Sequence, residues 1–228
     1  MKQRLLPTFL IVIFAALTVL SQTEKKLLQR VAIRLSCNVP KVLSSEAYRT
    51  SFNGLYDGGI KFTTRVFDNF CIGFGYDNAL FVTTTQFRDP FGRNINTRQQ
   101  MHNGVLSFYY DYMTGEKSFL AISLNSGLSY NKYTNVIAKY DSLYKNIPTD
   151  YIAGFIRPEV SINFLVEENF AFGIHLSYTM SLYTYDPKIS RLDTYLKYSD
   201  YKNSANVGWL SFGFGFYYGF KRKAKPAA

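Results

Sequence analysis

The chain has 228 residues, room for one ordinary domain, and is 18% aromatic with 19 Tyr, 20 Phe and a single Trp, while charged residues reach only 18%. So few charges suit a soluble surface poorly, and a slightly negative mean hydropathy excludes a bundle of apolar helices but not strands that alternate between lipid and a polar lumen. The formal charge of +10 does not mark a nucleic-acid binder, because much of it sits at the two ends, in Lys2 and Arg4 and in Lys221, Arg222, Lys223 and Lys225, and the rest is scattered.

Residues 1–21 read as a signal peptide. Lys2 and Arg4 form a basic start, Leu5 to Leu20 an apolar run, and Val19-Leu20-Ser21 a small-residue cleavage site before Gln22. The run falls short of the ~20 residues a spanning helix needs, and no Cys follows it to carry a lipid anchor. The barrel domain is expected over 22–220, with a basic tail at 221–228.

Eight segments then alternate at period 2, the signature of strands. The first sets Val31, Ile33, Leu35, Cys37 and Val39 against Arg34, Ser36 and Asn38, and the second sets Tyr56, Ile60, Phe62 and Val66 against Lys61, Thr63 and Arg65. The third, 70–80, places Phe70, Ile72, Phe74, Tyr76 and Leu80 opposite Cys71, Gly73, Gly75 and Asp77. The fourth and fifth cover 106–112 and 120–128, and the sixth runs from Ile156 to Val166 with Arg157 and Glu159 on the polar side. Pro158 removes one ladder donor there and predicts a bulge or local irregularity. The seventh, 170–182, carries His175 on its small-residue face, and the eighth, 210–220, alternates Phe and Tyr with Ser and Gly.

Connector lengths alternate as well. Asp68-Asn69, Thr114–Lys117 and Glu167–Asn169 are tight turns, and long polar connectors fall near 40–54, 83–103, 131–153 and 185–206. This is the pattern of an all-β, eight-stranded antiparallel up-and-down transmembrane barrel, with termini and short turns on the periplasmic side. Cys37 falls near the outer end facing lipid and Cys71 near the inner end facing the lumen, beyond the ~7 Å a disulfide spans.

A soluble lipocalin-like barrel would put the apolar set inside. Four to seven bulky side chains per strand overfill an eight-stranded interior, and a water-facing surface would carry Lys and Glu rather than Gly, Ala and Ser. Aromatics also gather at strand ends as two girdles, Phe67, Phe70, Tyr112, Phe164, Phe170, Tyr218 and Phe220 on the inner side and Tyr56, Tyr76 and Tyr130 on the outer. The signal ending Ser21-Gln22, the Phe-x-Gly-x-Gly type strands at 70–76 and 210–218 and the aromatic last strand resemble the small eight-stranded OmpA/OmpX-like outer-membrane barrels, and more particularly the Bacteroidetes-type barrels, PorT-like ones among them. The resemblance covers residues 28–220 and is architectural. Chains of that family often stop at the final aromatic, whereas this one continues for eight residues. It implies the barrel-assembly machinery as a partner in biogenesis.

Metal and nucleotide motifs are absent, so no cofactor is expected. The charged residues of the lumen face, Arg34, Lys61, Arg65, Asp77, Asp111, Arg157, Glu159 and His175, are expected to pair as a packed polar core, since buried charges require partners. A conducting lumen is the rival reading. His102 is expected as a loop residue at the outer rim and His175 as a lumen residue out of reach of a lipid ester; family relatives that modify lipid A use Ser, His and a carboxylate near that rim. No pattern here demands that set, and the chain is expected not to be an enzyme. The outer loops are rich in Tyr, with Tyr133, Tyr140, Tyr144 and Tyr151 in the third and Tyr185, Tyr195, Tyr198 and Tyr201 in the fourth, beside Arg191 and Lys197. Such residues favour recognition surfaces, or they pack the loops onto the rim. Function is thus expected to be structural or binding, with outer-membrane lipid and lipopolysaccharide as surroundings and an envelope protein as a partner. The alternatives are an accessory barrel of a secretion or gliding apparatus, a small pore, and a lipid A-modifying enzyme.

Overall fold

A computed structural model describes residues 28–43, 45–84, 87–88, 94–139, 142–190 and 206–220, with the backbone alone at 87–88, 94–95, 137–139 and 142–148. The signal segment, the basic tail, Tyr140, Arg191, Tyr195, Lys197, Tyr198 and Tyr201 lie outside these residues, and Tyr144 is placed by its backbone only.

The strands are β1 (Val31–Val42), β2 (Phe52–Phe67), β3 (Phe70–Thr83), β4 (Phe87–Arg88), β5 (Asn94–Gly115), β6 (Ser118–Lys139), β7 (Ser142–Glu167), β8 (Phe170–Thr184) and β9 (Asn206–Phe220), with a short helix α1 (Glu46–Ser51). β4 is a two-residue piece beside β5, and the other eight form an antiparallel sheet closed by β9 on β1. Pairing followed once round the wall, from Ile33 through Phe62, Phe74, Leu106, Ser126, Ile156, Met180 and Gly208, returns to β1 at Leu43. That is a stagger of about ten residues, which tilts eight strands by ~40°.

Burial is inverted relative to a soluble protein. Phe74, Leu128 and Ile152 are 68%, 65% and 70% exposed, while Asp57 and Asp77 are 0% exposed. Only hydrocarbon suits that surface. The girdle residues Phe67, Phe164, Tyr218 and Phe220 at one end and Tyr56, Tyr76 and Tyr130 at the other are all exposed. Along β6, Leu120 to Tyr130 covers the belt, and about ten residues at ~3.3 Å tilted ~40° rise ~25 Å, the height of such a band. Cys37 is exposed, Cys71 is buried and both are free.

At the inner end each hairpin closes through a two-residue turn, Asp68-Asn69, Glu116-Lys117 or Glu168-Asn169. Each is preceded by a bulge, at Val66, Thr114 or Val166. Asp68 adopts φ 35°, which Asp tolerates. The carbonyls of Asn69, Lys117 and Asn169 accept from the N–H groups of Asp111, Leu165 and Gly219, at 2.9, 2.8 and 2.7 Å. Every turn is thus laced to the strand that pairs with the second strand of its own hairpin.

The expected connectors and the side of Leu80 need correction. The stretch 131–153 is no loop, since β6 and β7 stay paired up to Lys139↔Ser142, and β5 begins at Asn94 inside the second expected connector. The first shrinks to the segment around α1. Above the lipid both faces of a strand meet polar surroundings, so these extensions carry no apolar face to reveal them. At Pro158 the expected disturbance is a local irregularity and not a bulge: Ile156↔Met180 and Glu159↔Ser177 keep one register, and the ladder to β8 omits residues 157–158. Leu80, expected to face lipid, is buried.

Leu124, half-exposed at mid-height of the belt, supplies a test of the lipid face. Leu124→Arg is expected to lower unfolding free energy in lipid vesicles by about 2–4 kcal/mol, while Glu116→Arg in the inner turn is expected to leave it within about 0.5 kcal/mol. Equal effects in urea titrations would contradict the placement of the belt.

Candidate functional site

The inward positions of eight strands converge on a narrow lumen, and their charges meet in three tiers. In the innermost tier, Arg34 of β1 contacts Asp111 of β5 at 2.5 Å. The guanidinium lies over the Tyr109 ring at 4.1 Å, and the Cys71 thiol approaches the same carboxylate oxygen at 3.5 Å. Leu28, Ala32, Phe119, Ala121, Ala171 and Tyr217 pack together as an apolar cluster in this part of the lumen.

The middle tier joins Lys61 of β2 to Glu159 of β7 at 3.2 Å, with His175 Nδ1 at 3.5 Å from the other oxygen of Glu159. The His175 ring stands against Gly215, where any Cβ would collide with it.

The outer tier centres on Arg157 of β7. Its Nη1 reaches Asp77 at 2.7 Å, its Nη2 reaches Asp57 at 3.3 Å, and its Nε donates to the Thr179 hydroxyl at 2.7 Å. Asp57 also accepts from Trp209 Nε1 at 3.1 Å and from the Ser211 hydroxyl at 2.7 Å. All these groups are buried, so each ion pair has its Coulomb attraction weakly screened.

Above the tiers, an aromatic plug closes the outer mouth. α1 turns Tyr48 inward onto Phe52, Phe81 and Tyr185, and Trp209 packs edge-on against Phe81. Tyr48 O–H donates to Gln99 Oε1. Gln99 Nε2 donates to Asn131 at 3.2 Å and to Tyr183 at 3.3 Å, and the Tyr133 and Tyr183 hydroxyls meet at 2.9 Å. Desolvation pushes the Tyr48 and Tyr133 phenols well above the usual range, so both remain hydroxyls at any physiological pH.

Seven of the eight residues expected in the lumen network are brought together this way, and Arg65 is not. It lies partly exposed near the inner end, without an ion pair among the described residues. Asp57, the most heavily bonded carboxylate, was missing from the sequence reading. Its inward parity with Lys61, four residues on, was the signal for it, masked by the flanking Gly58-Gly59 that reads as a turn. Tyr133, Tyr151 and Tyr185 serve the plug rather than a loop surface.

His102 is a strand residue, not a loop residue. It sits on the outward face of β5, with Nδ1 2.5 Å from the Tyr76 hydroxyl and 3.2 Å from Asn78 Nδ2, and its ring 6.3 Å from that of Tyr130. It belongs to the outer girdle. No group of His, Cys, Asp and Glu able to hold a metal occurs among the described residues.

The fold and the filled lumen define the class, a closed transmembrane β-barrel of the outer-membrane type. No protein-family model and no curated protein matches the chain. Among solved structures, Neisserial surface protein A (NspA) is 13% identical with a TM-score of 0.47, over 83% of this chain and 97% of its own. Ail, the attachment invasion locus protein of Yersinia pestis, is 13% identical with a TM-score of 0.41, over 84% and 100%. The outer membrane protease OmpT from Escherichia coli is 9% identical with a TM-score of 0.46, over 87% and 99%. These likenesses concern barrel architecture.

Two stability outcomes follow from the tiers. Arg157→Met strands two buried carboxylates and is expected to cost about 3–5 kcal/mol in urea unfolding. Gly215→Ala is expected to cost about 1–3 kcal/mol through the clash with His175 and to be largely rescued by His175→Ala, a coupling that a double-mutant cycle measures.

Proposed function

We propose that the chain is a non-enzymatic, non-conducting outer-membrane barrel that acts through its outer end, as a structural or partner-binding element, with both termini in the periplasm. One observation carries the reading: charged side chains meet across the lumen from the Arg34–Asp111 pair up to Arg157, and the Tyr48 plug packs above them. A pore needs a water column, and an eight-stranded interior is narrow enough for side chains to fill. The bonds that cross this lumen fix the wall on which the outer hairpins stand. β6 stays paired from Tyr130 to Lys139, ~30 Å of strand past the girdle. That is a rigid stalk for contacts with lipopolysaccharide and with an envelope protein. The short laced turns on one side and the long extensions on the other support the orientation.

Planar bilayers holding the purified barrel are expected to show no conductance steps. Ion flux that changes in Arg157→Ala would establish a pore instead. No release of acyl chains from lipid A is expected, and a hydrolysis lost in His102→Ala would overturn the non-enzymatic reading.

A further inference from the structure

The wall has a discontinuity at its outer end. Pairing of β1 with β2 stops at Asn38↔Asp57, although β1 continues on β9 as far as Val42 and β2 continues on β3 up to Phe52. Two residues cause it. Pro40 has no N–H to give β2, and Leu55 is an extra residue in β2 opposite a continuous β3, between Gly54↔Phe81 and Tyr56↔Leu80. Over this break lies an open groove of about 390 Å³.

Its composition is that of an amphiphile site. Val39 and Leu55 are 64% and 52% exposed and form an apolar lower rim beside the girdle residue Tyr56. Lys41 and Arg49, both exposed, stand at the upper part, and no described carboxylate pairs with either. The buried side chains of Val42 and Phe52 make the floor and belong to the plug, so the groove does not lead into the lumen. Gly54 sits directly on Pro40, which leaves no slot for an added β-strand and excludes β-augmentation.

We propose that this groove binds an outer-leaflet lipid whose sugar headgroup carries phosphate, with an acyl chain along Val39 and Leu55 and the phosphate between Lys41 and Arg49. The height fits, since the apolar rim lies at the girdle and the cations just beyond it, where headgroup charge resides. An Arg and a Lys give phosphate charge-assisted hydrogen bonds. The proposal rests on the barrel being inserted in an outer membrane and is independent of whether the lumen conducts.

The test uses the full-length barrel in detergent, titrated with lipid A, with its dephosphorylated counterpart and with inorganic phosphate, bound lipid being counted by native mass spectrometry. One lipid A per barrel is expected, with affinity about tenfold weaker in Lys41→Ala/Arg49→Ala. Leu55→Asn, which keeps both cations, is expected to weaken it too. Arg98→Ala/Lys132→Ala, which removes exposed cations from β5 and β6 further round the wall, is expected to bind as the wild type does. Unchanged affinity in the Lys41/Arg49 variant, equal binding of the dephosphorylated lipid, or displacement by inorganic phosphate alone would each overturn the site. Heat-modifiable gel migration separates the two readings: a barrel that keeps it yet ignores lipid A refutes the groove alone, and a chain that never shows it refutes the barrel.

Discussion

Hydrocarbon offers a backbone no hydrogen bonds, and this requirement governs the rest of the molecule. A sheet in lipid must close on itself, which β9 does on β1 along the whole of β1. Closure with eight strands leaves a narrow interior that polar groups must fill, because apolar residues such as Phe74 and Ile152 are spent on the outside. The inner face therefore carries Gly, Ala and Ser, and among them a small set of charges that pair with one another and with neighbouring hydroxyl and indole groups. Among the carboxylates, Asp57, with one cation, one indole and one hydroxyl, meets the demand for partners most fully.

The same geometry divides the molecule by height. Within the belt the wall is uniform and its ladder almost unbroken. Beyond the belt water can satisfy the backbone, and irregularity becomes tolerable. The missing β1–β2 pairs past Asn38, the α1 turn and the strand ends of unequal length all fall there. Aromatic residues take over from ion pairs at this level, and the Tyr48, Phe81 and Trp209 rings close a mouth that would otherwise admit water to the Arg157 tier.

Period-2 alternation was enough to find the eight barrel strands and the three inner turns, because lipid on one side and a polar core on the other imprint opposite chemistry on successive residues. The same logic failed where that contrast disappears. Residues 131–153 alternate nothing, since Asn131, Tyr133 and Asn135 face a hydrogen-bonded mouth on the inside while Lys132 and Thr134 face outward, so a paired hairpin read as a loop. Asp57 was hidden by two glycines that suit a strand lying close against its neighbours as well as they suit a turn. His102 was placed at the right height but not on its face, because a polar residue in a girdle and one in a loop carry the same signature. Pairing partners across the lumen were beyond reach, since they depend on the stagger of the closed sheet.

The ion pairs also bear on the order of assembly. Arg34 and Asp111 are 77 residues apart in the chain, Arg157 and Asp77 80, Lys61 and Glu159 98, and Arg157 and Asp57 100. No hairpin contains both members of any of these four pairs; the His175–Glu159 contact does lie within one, β7–β8. A half-built sheet therefore holds its charges bare, and in hydrocarbon such an intermediate would bear several unneutralised ions at once. The barrel's core thus acts as a checkpoint on insertion: partial structures stay in water, and entry into the membrane becomes a concerted event tied to ring completion.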